Sequence, residues 1–373
     1  MGTKQPDESV PRRILIFSTG SLGDTLLVIP AIRALRQHYP KAKFVLLSDV
    51  QANSSYVLAT NVLSGTGLID EFLTYTVHHG RLARIRTIAE TLGLAVRLRL
   101  EGFDTLAYCV EAWHGDQRVK RDKFFFRVAG VRRFIGMESL EVRRSATGFD
   151  IETVTHRVDE LLHRFGAAGI PMPSAEKRVL DLNLKASDRM AFHQWRRELS
   201  SDGGRLWIGI GPGSKMPAKV WPFEHFEELG KRLIDSFNVW PVVFGGPEDV
   251  MLGERLTQSW RCGYVAAGVL GIRDTAVAFE RCLLYVGNDT GTMHLAAAVG
   301  TPCVAIFSAR EPAGRWHPYG SGHRVFRSAI ECAGCNLKIC TERSNACLKA
   351  IEVNAVFDAC ASVLASTPSL SIC

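Results

Sequence analysis

Three short segments hold residue types and spacings suited to chemistry on an anionic ligand. In Gly287-Asn-Asp-Thr-Gly-Thr-Met-His294, a carboxylate, a hydroxyl, a glycine and an imidazole follow closely on one another as Asp289, Thr290, Gly291 and His294. An apolar run precedes them, and an alanine-rich helical pattern closed by Gly300 and Pro302 follows. The amides of Gly291 and Thr292 therefore fall at a helix N-terminus, where free N–H groups and the helix dipole favour phosphate. Asp289 reads equally as a helix cap, and His294 as a buried imidazole. In Gly211-Pro-Gly-Ser-Lys-Met-Pro-Ala-Lys-Val-Trp-Pro222, a glycine-rich turn carries Ser214, Lys215 and Lys219, one hydroxyl and two ammonium groups for a phosphate. A solvated loop with incidental lysines is the alternative there. In Ser18-Thr-Gly-Ser-Leu-Gly-Asp24, Gly20 and Gly23 permit a tight turn and close ligand approach. Asp24 is either a cap or a carboxylate placed to take a proton from a hydroxyl. The glycine spacing is not that of a dinucleotide-binding Gly-x-Gly-x-x-Gly turn.

Each segment needs a strand ahead of it and a helix behind it, and the apolar pattern supplies both. Arg13–Ser18 is a β-rich run, and Thr25–His38 has helical spacing. Phe44–Leu47, Phe72–Tyr75 and Thr105–Val110 read as further strands separated by helix-length stretches such as Arg84–Leu100. That alternation implies a parallel sheet with crossover helices. Gly166-Ala-Ala-Gly-Ile-Pro-Met-Pro173 interrupts it with two glycines and two prolines. A second series follows, with strands at Leu206–Ile210, Val239–Phe244, Leu283–Gly287 and Cys303–Phe307 and helices at Glu224–Asp235, Ile272–Arg281 and His294–Val299. The expected division is residues 1–170 and 171–373, two doubly wound α/β domains facing a central cleft. Val353–Ala365 reads as a last amphipathic helix that packs back on the first domain, and Ser366–Cys373 as a frayed tail.

Composition bounds the class. The chain of 373 residues exceeds the usual size of one hydrophobic core, and 46% apolar with 22% charged residues is a globular composition, not a disordered one. A net charge of +7, from 45 Lys+Arg against 38 Asp+Glu, favours an anionic partner without naming it. Met1–Pro11 is polar and lacks the apolar stretch of a secretory signal. No run approaches the roughly 20 apolar residues of a bilayer span, and of ten cysteines four fall in one late segment with the rest scattered, so a reduced cytoplasmic chain is expected. Between Arg81 and Arg144, fourteen basic residues stand against eight acidic ones. The run Arg118-Val-Lys-Arg-Asp-Lys-Phe-Phe-Phe126 interleaves basic and aromatic side chains, which suits peripheral contact with an anionic membrane at its inner face. No nucleic-acid-binding pattern is present.

The motifs in this order resemble glycosyltransferase family 9, the ADP-heptose:lipopolysaccharide heptosyltransferases. The likeness runs through Gly-Ser-Leu-Gly-Asp24-Thr-Leu-Leu, Ser214…Lys219-x-Trp-Pro222, Phe244-Gly-Gly-Pro-Glu-Asp249 and Asn288-Asp-Thr-Gly-x-Met-His294-Leu-Ala-Ala-Ala. It implies a GT-B fold of two Rossmann-like domains, the second binding the nucleotide-sugar donor. It also implies an inverting, metal-independent transfer from a nucleoside-diphosphate sugar, ADP-heptose being favoured, to a lipopolysaccharide-type or other glycan or glycolipid acceptor. Carried over by residue, Asp24 is the base on the acceptor hydroxyl. Ser214, Lys215 and Lys219 contact the donor diphosphate and sugar, with Lys219 also offsetting charge on the leaving group. Asp289 meets the sugar, Thr290, Gly291 and neighbouring amides hold phosphate, His294 belongs to the donor site, and Glu248 or Asp249 meets the ribose. Two other readings share these features: a nucleotide-sugar epimerase, which needs no acceptor, and a non-catalytic nucleotide-sugar-binding protein.

The chain has no Asp-x-Asp, the pair that commonly bridges a diphosphate through a divalent ion. Cys332-x2-Cys335-x4-Cys340-x6-Cys347 puts four thiols at short spacing, which zinc or an iron–sulfur cluster would accept. The spacing departs from paired Cys-x-x-Cys knuckles, so structural or surface thiols, with no metal and no cofactor, are the expectation.

Overall fold

The computed structural model describes residues 11–51, 56–77, 83–111, 116–137 and 154–366. The polar start, the expected frayed tail beyond Ser366 and parts of the basic stretch between Arg81 and Arg144 lie outside the described residues. Two units emerge, Met1–Arg144 with Val158–Arg178, and Ser145–Arg157 with Val179–Cys373. The division falls after Arg178, beyond the expected 170, because Arg178 is fastened to the unit before it. Its guanidinium pairs with Asp159 at 3.1 Å and donates to the Pro173 carbonyl at 3.0 Å. Residues 154–157 join the other unit through Val154 N–H to Ala313 O and Arg157 N–H to Arg315 O, each 3.0 Å.

The first unit is built on strands β1 (Arg13–Ser18), β2 (Lys43–Gln51), β3 (Glu71–Val77), β4 (Thr105–Tyr108) and β5 (Arg133–Ile135), in the parallel order β3-β2-β1-β4-β5. Its helices are α1 (Leu22–Leu27), α2 (Ile29–His38), α3 (Ala59–Leu63), α4 (Ala83–Glu101), α5 (Asp116–Val128) and α6 (Arg157–Ala167). The helix expected over Thr25–His38 is two helices broken at Val28, because Pro30 has no N–H to carry the ladder across the join. Runs such as Ile14-Leu-Ile-Phe17 are buried throughout, as strands covered on both faces require. Arg164 of α6 lies buried at the carboxyl ends of β4 and β5. Its guanidinium donates to the carbonyls of Gly136 (2.8 Å), Val110 (3.0 Å) and Tyr108 (2.9 Å), so that loop backbone is satisfied without water.

The second unit has β6 (Trp207–Gly211), β7 (Trp240–Val243), β8 (Tyr264–Val265), β9 (Cys282–Asn288), β10 (Cys303–Phe307) and β11 (Arg324–Arg327), in the parallel order β11-β10-β9-β6-β7-β8. Its helices are α7 (Asp188–Glu198), α8 (Phe223–Phe237), α9 (Val250–Trp260), α10 (Ile272–Phe279), α11 (Gly291–Ala298), α12 (Ala346–Lys349) and α13 (Val353–Ala365). In both sheets the first strand is central and later strands add on either side, so the order reverses beside β1 and beside β6. Ligands of open α/β sheets bind at such reversals.

The last helix, α13, packs one face into the core of the second unit. Val353, Val356, Cys360 and Leu364 of α13 form one buried stripe in the second unit's core, with Trp221, Phe226, Leu233, Leu284 and Val304. The stripe packs against α8 and the sheet, with Phe357, Ala359 and Val363 partly buried at its margin.

Among the described residues no helix is long and apolar enough to cross a membrane, and no three His, Cys, Asp or Glu side chains are arranged to hold a metal ion. Cys332, Cys340 and Cys347 are half-buried, Cys335 is exposed, and all four are unbridged.

Candidate functional site

In the second unit the chemistry gathers where β6 and β9 lie side by side. Gly211 and Gly287 are paired across these strands, and neither position has room for a side chain. A Cβ on Gly211 would stand 1.7 Å from the Tyr285 hydroxyl, and one on Gly287 would stand 2.5 Å from the Gly211 carbonyl oxygen. Tyr285 thus crosses both glycines and brings its hydroxyl to Thr292 Oγ1 at 2.9 Å, with Thr290 Oγ1 a further 2.9 Å on. The hydroxyl chain fixes the first turn of α11, for which Thr290 is the N-cap. The amides of Gly291 and Thr292 follow it in the first turn of α11, where helix geometry leaves N–H groups without intrahelical partners.

Asn288, fully buried at the end of β9, ties the two loops together. Its Nδ2 donates to the Pro212 carbonyl at 2.7 Å, and its Oδ1 accepts from the Trp221 N–H at 3.1 Å. Between those anchors a single 3-10 turn, Pro217–Lys219, presents Lys219. The Lys219 Nζ lies 2.6 Å from Asp289 Oδ2 and 3.5 Å from Glu311 Oε2. Burial pulls the ammonium's pKa down, but the Asp289 and Glu311 carboxylates outweigh it and leave the pKa raised. A charged lysine with two carboxylates is thereby held at the foot of α11. Arg310, itself buried, pairs with Glu311 and donates to the carbonyls of Leu337 (2.7 Å) and Asn336 (3.0 Å). The segment so held also accepts the Ala218 N–H at Lys338 O (3.1 Å) and gives Asn345 Nδ2 to Pro217 O (2.8 Å). The loop bearing the four late cysteines is thus a brace that grips the Lys219 turn on one side and Arg310 on the other.

His294 lies inside α11's buried face with Nδ1 unpartnered. Burial, with lesser contributions from His156 and Lys219, pushes its pKa down to about 3, so the ring is neutral. Ser214 caps its own turn through Met216 N–H to Oγ at 3.2 Å, and the exposed Lys215 lies 3.9 Å from Glu248. Glu248 and Asp249 take different positions. Asp249 accepts the Gly246 N–H at 2.9 Å, and a Cβ on Gly213 would stand 1.9 Å from its Oδ1, so it joins the loops after β6 and β7. Burial raises its pKa, with Glu248 adding to the effect. Glu248 is exposed.

In the first unit, Asp24 lies in the first turn of α1 and accepts the Ser21 N–H at 3.0 Å. Gly20, at φ +112°, is the residue over which that carboxylate folds, since a Cβ there would be 2.3 Å from Asp24 Cγ. The Gly20 N–H goes to Asp49 Oδ1 at 3.0 Å, and the same oxygen accepts the Tyr56 hydroxyl at 2.9 Å. Burial, then Asp49 and more weakly Asp24, raise the Tyr56 pKa, so the phenol keeps its proton. Asp24 closes a capping box through its bond to Ser21, and its carboxylate is half-buried beside β1, where the sheet order reverses. Sequence reasoning missed Asp49, Tyr56, Asn288 and Glu311.

The model of glycosyltransferase family 9 (heptosyltransferase) matches residues 130–345, more than half of the chain. The chain belongs to glycosyltransferase family 9. Within the family it is 35% identical to lipopolysaccharide heptosyltransferase 2 of Escherichia coli over 124 residues, 31% of this chain and 34% of that protein. The match therefore spans only about a third of that relative's length. With lipooligosaccharide heptosyltransferase 2 of Haemophilus ducreyi, 24% identity extends over 317 residues, 80% of this chain and 84% of that protein. The fold agrees with the solved family 9 glycosyl transferase of Veillonella parvula at a TM-score of 0.71 and 20% identity, covering 95% of this chain and 98% of the other. It agrees with the ADP-heptose lps heptosyltransferase II of E. coli at 0.67 and 22%, again over 95% and 98%. The two parallel α/β sheets are therefore those of the GT-B fold.

Proposed function

We propose that this chain is a heptosyltransferase-type glycosyltransferase that moves a sugar from a nucleoside-diphosphate donor, ADP-heptose first among them, to a lipopolysaccharide-type glycan acceptor. The observation that carries the reading is the Lys219–Asp289 pair at the N-terminus of α11. A departing diphosphate needs positive charge that is already in place when the sugar–phosphate bond breaks. Lys219 and the amides of Gly291 and Thr292 supply it, and Ser214 and Lys215 extend the contact. Glu248 meets the ribose, because Asp249 is occupied in joining two loops. Asp289 hydrogen-bonds the sugar through the carboxylate oxygen that Lys219 leaves free, and neutral His294 adds bulk without charge.

In the reaction, Asp24 accepts the proton of the acceptor hydroxyl as that oxygen attacks the anomeric carbon. The bond to the diphosphate breaks on the opposite face, so the product is inverted. Asp49 holds the Gly20 turn over which Asp24 folds and so fixes the base. A bound donor and a glycolipid acceptor place the protein at the cytoplasmic face of a membrane, in peripheral contact with it.

The test is transfer from ADP-heptose to a heptose-deficient lipopolysaccharide, with ADP binding read separately by thermal shift. Asp24→Asn is expected to lower the transfer rate by roughly 10²–10⁴-fold, as loss of a general base does, while the ADP-induced shift persists. Unchanged transfer in that variant, or conversion of the donor without any acceptor, would overturn the reading.

A further inference from the structure

We propose that the outer face shared by α4 and α5 is the surface by which this protein docks on an anionic phospholipid membrane. The proposal rests on the reading of a lipid-borne acceptor and names the surface that meets the lipid. Leu92, Val96 and Leu100 stand at successive turns of α4 and are all exposed, Leu100 at 84%. On α5, Phe124 (70% exposed) and Val128 repeat the pattern one turn apart. Large apolar side chains set out in two rows on a surface are unusual, since a folded chain gains by burying them. The two helices are neighbours, and Arg99 of α4 joins them by donating to the Val128 carbonyl at 3.2 Å. A groove lined by Gly93, Val96, Arg97 and Leu100 runs along α4.

The charges around these rows select the occupant. Lys120, Arg121 and Arg127 are exposed on α5 between and beside Phe124 and Val128, and Arg97 is exposed on α4. The acidic side chains nearest to them are engaged. Asp122 is buried against the Tyr108 hydroxyl (2.8 Å), Arg118 (3.7 Å) and Arg121 (3.1 Å), and Glu101 pairs with Arg13 and, at 4.0 Å, with Arg97. Glu90 is exposed two residues before Leu92. An apolar stripe edged with lysine and arginine is the pattern of an element that lies in a headgroup layer, with its hydrocarbon below and its cations among the phosphates. A second copy of the chain fits badly, because a two-fold contact would set the same basic residues against themselves. The rows run from Leu100 and Val128, toward the amino ends of the strands, to the start of α5 at the carboxyl edge of the sheet. Arg118 in the first turn of α5 reaches Asp122, which holds Tyr108 at the carboxyl end of β4, next to β1 and the turn that carries Asp24.

Sedimentation with sucrose-loaded vesicles tests this on the full chain. Binding is expected to vesicles of phosphatidylcholine with 30% phosphatidylglycerol and to fall away with added salt, while pure phosphatidylcholine vesicles leave the protein in the supernatant. Neutralising Lys120, Arg121 and Arg127 together to Ala should weaken binding on the order of 100-fold, at roughly fivefold per basic residue. Leu100→Ser with Phe124→Ser should weaken it without changing its salt dependence, and Lys231→Ala on α8 should not change it. Circular dichroism and the ADP thermal shift report whether each variant is folded. The proposal fails if the parent ignores the anionic vesicles, if the triple variant binds as the parent does, or if the apolar variant abolishes a dimer and leaves vesicle binding intact. A parent that shows the ADP shift and ignores vesicles removes the docking surface and keeps the transferase reading. One that binds vesicles without the ADP shift or transfer does the reverse.

Discussion

Lys219 has only 13% of its side chain exposed and Asp289 only 7%, so each is the other's substitute for water. Removing the lysine alone leaves a buried carboxylate without its counter-charge, which costs about 3–5 kcal/mol. Lys219→Met is therefore expected to lower the urea midpoint sharply and to remove donor binding, whereas Lys219→Met with Asp289→Asn should regain most of the stability and none of the transfer. A single variant as stable as the parent would show the pair to be solvated. At this scale Asp24, Lys219 and Asp289 were readable because each lies in or beside a glycine-bearing turn after an apolar run. Glu311 follows a strand end in the same way, yet Ser308-Ala-Arg-Glu311 has no glycine to mark it. Asp49 and Tyr56 were silent for another reason, since their role appears only when Gly20 is seen to give its N–H to β2's carboxyl end.

Among the elements, α11 combines an anion-binding N-terminus with a titratable ring in its packed face. The His294 pKa of about 3 lies well below the ordinary value near 6.5. Between those limits the unfolded chain takes up a proton that the folded chain refuses, so this contribution is complete above pH 6.5 and is lost as pH falls. From pH 6.5 to 5 the loss is about 2 kcal/mol. His294→Gln, which cannot titrate, should lose correspondingly less stability than the parent between pH 7 and pH 5 in urea unfolding. Equal losses in the two proteins would refute the assignment. Most strands and crossover helices were legible at this scale because parallel strands buried on both faces leave unbroken apolar runs. The break at Val28 was not, since Pro30 is tolerated in a helix's first turn and periodicity passes straight through it. Short edge strands such as Tyr264–Val265 bury too few side chains to leave a pattern.

At the scale of the whole chain, the second unit's core depends on a helix that comes nearly last. Four buried residues of α13 each contribute about 1.5–3 kcal/mol by burial, a sum comparable with the roughly 5–15 kcal/mol that holds a domain folded. A chain ended after Ile351 should therefore lack a folded second unit, with its near-ultraviolet dichroism diminished and no ADP-induced thermal shift. A truncated protein that keeps the shift would show that α13 is dispensable. The two-domain division was readable from the Gly- and Pro-rich break, but its exact place was not. It depends on Arg178 reaching back to Asp159 and Pro173, a pairing that no local pattern announces.

The segment that carries Cys332 to Cys347 grips its neighbours mainly by its own main chain, through the carbonyls of Asn336, Leu337 and Lys338 and the N–H groups of Gly334 and Asn336. Such a grip constrains the number of residues as well as their kind, which matters most at Gly334 and Asn336, both at positive φ. Many of its other side chains take no part in holding Lys219, whereas losing a single residue would shift every carbonyl after it out of reach. In this stretch the spacing between anchor points, rather than most of the side chains, is what positions the lysine.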